Sequence, residues 1–184
     1  FLDEWHHSDK IEHYRFQEQS IKLLFKSLCP ENKQIEQILL KVSVLNDFYG
    51  THIFGTYPVA KRILEVETDS RLAAGDHSLV DAIARVSISG KTRNFYSFAS
   101  KYCSHHKPDE FAIFDSFVEK LLCEYQAIDS FHKFKKSDLR DYSRFIEAIR
   151  KFQSYYQLNN FSLREIDIFL WMAGKRWFPK QYGK

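Results

Sequence analysis

Apolar side chains recur every three to four residues along most of the chain, which is the spacing of amphipathic helices. Segment 34–49 is typical: its apolar positions form one stripe, and Gly50 then ends the pattern, as glycine often does after a helix. The same spacing predicts helices over residues 10–28, 34–49, 58–64, 78–88, 91–105, 115–125, 137–156 and 162–173, with a short helical turn at 69–74.

Few turn signals interrupt these segments. The 184 residues include only 6 glycines and 4 prolines, unlike a sandwich of short strands. Residues 111–114 have an extended pattern and residues 129–136 form a polar, basic connector, but no linker is long enough to separate domains. The sequence therefore predicts an all-α fold, a compact bundle of about eight helices. It forms one domain over residues 1–184, and an arrangement of two lobes around a cleft stays open.

The cysteines and the lengths of the apolar segments indicate the cellular compartment. Cys29, Cys103 and Cys123 are widely spaced without a CxxC pair, so neither a disulfide framework nor a Cys-rich zinc site is indicated. No apolar stretch approaches the roughly 20 residues of a membrane span. The start at Phe1 has no signal-peptide pattern. We expect an intracellular protein of a reducing compartment, cytoplasmic and without a membrane partner, with the nucleoid or nucleus as open alternatives.

The motifs of several large enzyme classes are absent from the sequence. There is no GxxxxGK[ST] or GxGxxG nucleotide loop, no GxSxG and no HExxH. Reactive side chains concentrate instead at residues 101–109, and the extended segment 111–114 then leads to Asp115 at the start of a predicted helix. A carboxylate held there can stabilise a developing sugar cation and orient or deprotonate a water, as cleavage of an N-glycosidic bond requires. The alternative is that Asp115 only caps its helix.

The other polar residues of this cluster also allow two interpretations. Lys101 is either a phosphate contact or a partner that tunes Asp115, or it is a lysine that covers the edge of the core. Cys103, His105, His106 and Asp109 match no standard metal-ligand spacing, so we predict no metal and no cofactor. The two histidines are expected at a helix end, where their protonated forms suit the helix dipole.

Segment 107–118, with the sequence KPDEFAIFDSFV, resembles the part of helix-hairpin-helix DNA glycosylases that ends in their catalytic aspartate. Segment 44–53, VLNDFYGTHI, is similar to the helix that begins the second structural half of those enzymes. The similar parts together span residues 42–122. The resemblance implies an all-helical, two-lobed enzyme that flips a base out of DNA and cleaves its glycosidic bond. It makes Asp115 the catalytic carboxylate, and we assign Lys101 as its catalytic partner.

Two differences from these enzymes set the expected reaction type. Members that form a Schiff base carry a lysine well before the aspartate in sequence, at the position of Tyr96 here, and Lys91 and Lys101 lie on either side of that position without matching it. Their glycine-rich hairpin, which holds the DNA backbone, corresponds to residues 88–92, where this chain has one glycine. There is also no Cys-rich iron–sulfur motif. The expected reaction is therefore a water-mediated, monofunctional cleavage.

Basic residues indicate where DNA would bind. The net charge of +3 permits a polyanionic partner without requiring one. Segments 132–144 and 175–184 combine basic and aromatic side chains, which can contact phosphates and stack on exposed bases. The other interpretation is a solvated surface, with Trp171 and Trp177 packed in the core. The predicted DNA contacts are Lys91, Arg93, His105, His106, Lys175, Arg176 and Lys180.

The leading hypothesis is a DNA-binding, glycosylase-like protein of base-excision repair that hydrolyses the N-glycosidic bond of a damaged or modified base. The alternative is a non-catalytic helical module that binds nucleic acid or a protein partner. In that case Asp115 is only a helix cap.

Overall fold

Helices account for most of the chain in the computed structural model, which describes residues 1–179. This confirms the predicted compact, mostly helical bundle. None of the helices in this range is both long and apolar enough to cross a membrane. The α-helices are α1 (Leu2–His7), α2 (Glu12–Leu23), α3 (Ile35–Phe48), α4 (Thr56–Glu65), α5 (Thr68–Ala73), α6 (Ser78–Ala84), α7 (Tyr96–His106), α8 (Ser116–Asp129), α9 (Tyr142–Tyr155) and α10 (Leu163–Trp177). A π-helical turn, Leu24–Leu28, continues α2, and 3₁₀ turns lie at Asp9–Ile11 and Lys136–Arg140.

A two-stranded antiparallel sheet occupies residues 85–94. Strand β1 (Arg85–Ile88) pairs with strand β2 (Lys91–Asn94). The two turn residues, Ser89 and Gly90, have φ values of 50° and 75°, the left-handed conformation that a tight two-residue hairpin requires. The segment expected to resemble the DNA-binding hairpin of glycosylases is therefore a β-hairpin in this protein.

The β-hairpin corrects two predicted helices. Helix α6 ends at Ala84 rather than continuing to residue 88, and α7 begins at Tyr96 rather than at residue 91. The burial of β1 alternates, with Val86 buried between two exposed neighbours, which is the period of a strand. This period of two over four residues is too short to stand out from the helical spacing on either side.

Helix α7 passes through the centre of the fold. Nine of its eleven residues are buried, including polar side chains such as Ser100 and Lys101. Helices α3 and α6 pack against it. Because buried polar groups require partners, the polar side chains of α7 must bond inside the protein. This arrangement places Ser100 and Lys101 against the segment that leads to Asp115.

The last helix packs closely against the start of α8 at Gly174. A Cβ atom added to Gly174 would lie 2.8 Å from Phe117 Cβ and 2.9 Å from the Phe117 carbonyl oxygen. Both distances are shorter than real contacts allow, so the absence of a side chain at Gly174 sets the separation of α8 and α10. Helix α10 itself begins with the predicted capping box of Ser162 and Glu165, which is confirmed.

Candidate active site

A cleft of about 780 Å³ brings together residues from both ends of the chain. Its walls come from α1, α2, the end of α3, the start of α7, the segment 113–118 and α10. Asp115 and Lys101, the two residues assigned to catalysis, both line it. The cleft therefore collects the predicted catalytic pair, together with charged and aromatic groups of distant segments.

Side chains, rather than a neighbouring strand, hold the extended segment 111–114. The Ser100 hydroxyl accepts the Phe114 N–H at 3.0 Å, and the Tyr142 hydroxyl donates to the Ala112 carbonyl at 2.8 Å. Asp167 Oδ2 accepts the Ile113 N–H at 2.9 Å. Each of these side chains satisfies a buried backbone group that would otherwise lack a partner. Together they fix the position of the next residue, Asp115.

Asp115 is half-buried and forms the N-cap of α8. Its Oδ1 accepts the N–H groups of Phe117 at 2.8 Å and Val118 at 2.9 Å. This confirms the predicted capping role, and it uses one carboxylate oxygen. The second oxygen, Oδ2, makes no hydrogen bond with residues 1–179. A catalytic role for Asp115 stays a prediction, and Oδ2 is the atom available for it.

Lys101 is buried beside this carboxylate, with 5% of its surface exposed. Its Nζ donates to Ser97 Oγ at 2.6 Å and lies 3.4 Å from the Phe114 carbonyl oxygen. Burial lowers the pKa of Lys101 to about 8, against the opposing effect of the nearby Asp115 and Asp167 carboxyl groups. Lys101 therefore supports the backbone next to Asp115. Its ammonium group loses a proton near pH 8.

Asp167 is a cleft residue that the sequence analysis did not identify. It is 2% exposed, and burial raises the pKa of its carboxyl group to about 8. Oδ2 is bonded to Ile113, whereas Oδ1 is buried without a hydrogen-bond partner among residues 1–179. A signal existed in the sequence, since an acidic side chain stands four residues after Leu163 and three before Leu170, on the apolar face of its helix.

The inner wall of the cleft carries further polar residues that were not predicted. Arg164 Nε donates to Glu18 Oε1 at 2.7 Å, joining α10 to α2 across 146 residues of sequence. The Tyr49 hydroxyl lies 2.8 Å from His105 Nε2. Burial raises the pKa of the Tyr49 phenol to about 12, so the phenol keeps its proton at neutral pH. No local motif links these residues, because they come from separate helices.

The two histidines are placed differently from the prediction of DNA contacts. His106 is buried, and its Nε2 lies 3.3 Å from both Asn32 Nδ2 and Lys41 Nζ. His105 is partly buried against Phe25 and bonded to Tyr49. Burial depresses the pKa of both imidazoles well below the ordinary value, so the expected protonated forms are not favoured. Burial, rather than the helix dipole, determines their state.

The structure separates the other predicted DNA contacts into three groups. Lys91 and Arg93 are exposed on β2, next to the cleft residue Asn94. Lys175 lines the cleft, and its Nζ donates to the Tyr14 hydroxyl at 2.8 Å. Arg176 is paired with Glu4 outside the cleft, at 2.7 Å. Lys180 lies outside the described residues.

Of the two tryptophans expected in the core, Trp171 is partly buried against the cluster of Trp5, Ile168 and Met172, whereas Trp177 is exposed. Trp171 lines the cleft and packs edge-on against Tyr14, with ring centroids 5.0 Å apart. Trp177 is 54% exposed at the end of α10. The basic segment 132–144 is extensively ion-paired, for example between Arg140 and Glu119 at 2.9 Å. Its positive charge is thus partly neutralised within the protein.

Comparison with known proteins places this chain in a family. Residues 1–110 match the family HI_0787_N, described as an N-terminal domain. A protein of Haemophilus influenzae (strain ATCC 51907 / DSM 11121 / KW20 / Rd), named "Uncharacterized protein", is 44% identical over 147 residues, which cover 79% of this chain and 70% of the relative. The chain belongs to the HI_0787_N family. No solved structure matches it.

Proposed function

We propose that this protein binds DNA and hydrolyses the N-glycosidic bond of a damaged or modified base. The observation that carries the proposal is the position of Asp115 and Lys101 together in one cleft with aromatic side chains. A cleft of about 780 Å³ is within the size range of small-molecule pockets, so it has room for a flipped base. The resemblance of segment 107–118 to the DNA glycosylases independently assigns the same carboxylate.

The proposed reaction is a hydrolysis in which Asp115 acts directly on the sugar. The C1′–N bond breaks with its electron pair moving to the base nitrogen, and the free Oδ2 of Asp115 stabilises the positive charge on the sugar. A water oxygen then forms the C1′–O bond and releases a proton, and the departing base takes up a proton in turn. Asp115 orients this water and accepts its proton.

Lys101 supports this carboxylate rather than attacking the sugar. Its Nζ is bonded to Ser97 and approaches the carbonyl oxygen of Phe114, the residue that precedes Asp115. The ammonium group of Lys101 thereby supports the backbone that positions the Asp115 carboxyl. The proposed reaction therefore forms no Schiff base.

Basic residues around the cleft would hold the DNA strand. Lys91 and Arg93 are exposed on the β-hairpin, and Lys175 lies in α10, far from them in the sequence. Such side chains release counterions from the phosphate backbone on binding. Aromatic rings of Tyr14 and Trp171, which face the same cleft, offer stacking surfaces for an extruded base.

A second candidate function rests on the hydrogen bonds of Asp115. Oδ1 is fully used in capping α8 through Phe117 and Val118, as a purely structural aspartate would be. A helical module that binds nucleic acid or a protein partner without catalysis would keep the same contacts. The two proposals differ in whether Oδ2 has a chemical role.

The proposal is tested with duplexes that each contain one damaged or modified base, using DNA binding across a salt series and the formation of abasic sites. Base release together with salt-dependent binding is the expected result. Salt-dependent binding with no abasic sites on any duplex would favour the non-catalytic module. Absence of binding at low salt would contradict both DNA proposals and direct the search to protein partners.

A further inference from the structure

The inner part of the cleft contains an unused polar atom. Asp167 Oδ1 is buried and accepts or donates no hydrogen bond within residues 1–179, although the residue lines the cleft. A buried polar atom without a partner destabilises the folded protein. The fold itself needs only Oδ2, which holds Ile113. Nothing within residues 1–179 supplies a partner for Oδ1, which leaves this atom available to a bound molecule.

Ionisable groups on several helices influence the Asp167 carboxyl. Arg164 on the same helix favours the ionised carboxyl, whereas Asp115 and Glu18 disfavour it. Burial outweighs Arg164 and raises the pKa to about 8, so the carboxyl is mostly protonated at pH 7. Since Oδ2 accepts the Ile113 N–H, the proton belongs on Oδ1. Other titratable groups that interact with Asp167 are Lys101, Tyr49 and Tyr142.

The neighbouring walls fit a flat, unsaturated ring. Trp171 follows Asp167 by one helical turn and lines the same cleft, and the Tyr14 ring stands nearly perpendicular to it, with an interplanar angle of 78°. Ile168 adds an apolar surface beside them. A ligand in this place would meet these aromatic and apolar side chains, the Lys175 ammonium that lies over both rings, and a hydrogen-bond donor on Asp167.

We propose that Asp167 binds the ligand, donating a hydrogen bond from Oδ1 to a carbonyl oxygen or ring nitrogen of a planar nitrogen heterocycle the size of a nucleobase. This inference deepens the proposed function, on which it rests, by naming how the cleft recognises a base. Asp167 has no part in breaking the glycosidic bond, which falls to Asp115. Recognition and chemistry are thereby divided between the Asp167 carboxyl, which is bonded to Ile113, and the Asp115 carboxyl two residues further along the chain.

Free hypoxanthine and free indole are suitable probes, with their binding measured by ligand-detected NMR titration. Both are flat bicyclic rings, but only hypoxanthine carries a carbonyl oxygen and unprotonated ring nitrogens. Asp167→Leu is expected to weaken hypoxanthine binding by roughly threefold to tenfold, the worth of one hydrogen bond, and to leave indole binding unchanged. An equal loss for both probes, or no loss for hypoxanthine, would overturn the proposal.

Asp167→Asn keeps the test decisive if the leucine variant misfolds. Its amide oxygen can accept the Ile113 N–H while its NH₂ group takes the place of the protonated Oδ1. Above about pH 8 the wild-type affinity for hypoxanthine should fall more steeply than that of Asp167→Asn, in which only the ionisation of Lys101 and of hypoxanthine itself remains. Asp81→Asn is the matched control, because Asp81 is a partly buried carboxyl outside the cleft whose pKa is also raised by burial. It should keep the wild-type pH profile.

Failure of the proposed recognition site can be distinguished from failure of the proposed catalytic function. Hypoxanthine binding that depends on Asp167, in a protein that releases no base from DNA, would support the recognition site and reject catalysis. Absence of hypoxanthine binding to the wild type, or a pH profile that Asp167→Asn does not change, would reject the recognition site whether or not bases are released.

Discussion

Asp167, near the middle of the last helix, accepts the backbone N–H of Ile113 at 2.9 Å, two residues before Asp115. This bond ties α10 to the segment that positions the candidate catalytic carboxylate. The contact joins residues 54 positions apart, and it is made by an oxygen of a side chain that also faces the cleft. The packing of α10 and the geometry of Asp115 are therefore linked.

Gly174→Ala should destabilise the protein, because the new methyl group would collide with the Phe117 backbone and cannot be relieved by moving a side chain. We expect a loss of about 1–3 kcal/mol in the free energy of unfolding, measured by urea denaturation. Gly55→Ala is the control. The closest contact of its new methyl group would be the flexible Ile88 side chain, at 3.2 Å, so a much smaller loss is expected. Equal losses would contradict the close packing of α8 and α10.

Asp115→Ala should remove the cap of α8 and lower the free energy of unfolding by about 0.5–2 kcal/mol. Asp115→Asn should retain nearly all of the stability, since asparagine caps helices as well as aspartate does. Urea denaturation of both variants tests this. A large loss in the asparagine variant would show that the negative charge, rather than the hydrogen bonds to Phe117 and Val118, stabilises this region.

The sequence was sufficient for the local features and insufficient for the cleft. Helical spacing located most helices, and the caps at Asp115 and Ser162 followed from residue type and position. The β-hairpin was missed because its alternation covers only four residues per strand. Asp167 and Arg164 were missed because their roles come from contacts with other segments of the chain, and the apolar spacing within a single helix does not reveal such contacts. The burial of His105 and His106 was missed for the same reason.

The stability of the protein should depend on pH through Asp167. Its pKa is about 8 in the folded state against an ordinary value of 3.8, so between about pH 4 and 8 the unfolded chain binds fewer protons. This carboxyl therefore lowers stability as the pH rises through that window, by at most about 1.4 kcal/mol per pH unit. Asp167→Asn should gain stability relative to the wild type from pH 4 to 8, in urea titrations at each pH. A constant difference would contradict the raised pKa.

Lys91→Ala and Arg93→Ala should each weaken binding to duplex DNA and reduce the slope of log affinity against log salt by about 1. Both side chains are exposed, and neither forms an ion pair within residues 1–179. Arg176→Ala is the comparison, because its guanidinium is already paired with Glu4. It should change the slope less. An effect of Arg176→Ala larger than that of the hairpin variants would place the DNA on another surface.

The most direct test of the central claim is the single-turnover rate of base release at saturating protein, compared among the wild type, Asp115→Asn and Asp141→Asn. Asp141 is the N-cap of α9, where it accepts the Arg144 N–H at 3.1 Å, and it lies outside the cleft. Both substitutions preserve a cap and remove one negative charge. We predict that Asp115→Asn loses at least about a hundredfold in rate, as expected for a general base, while Asp141→Asn releases bases like the wild type. Equal rates in all three proteins would contradict a catalytic role for Asp115.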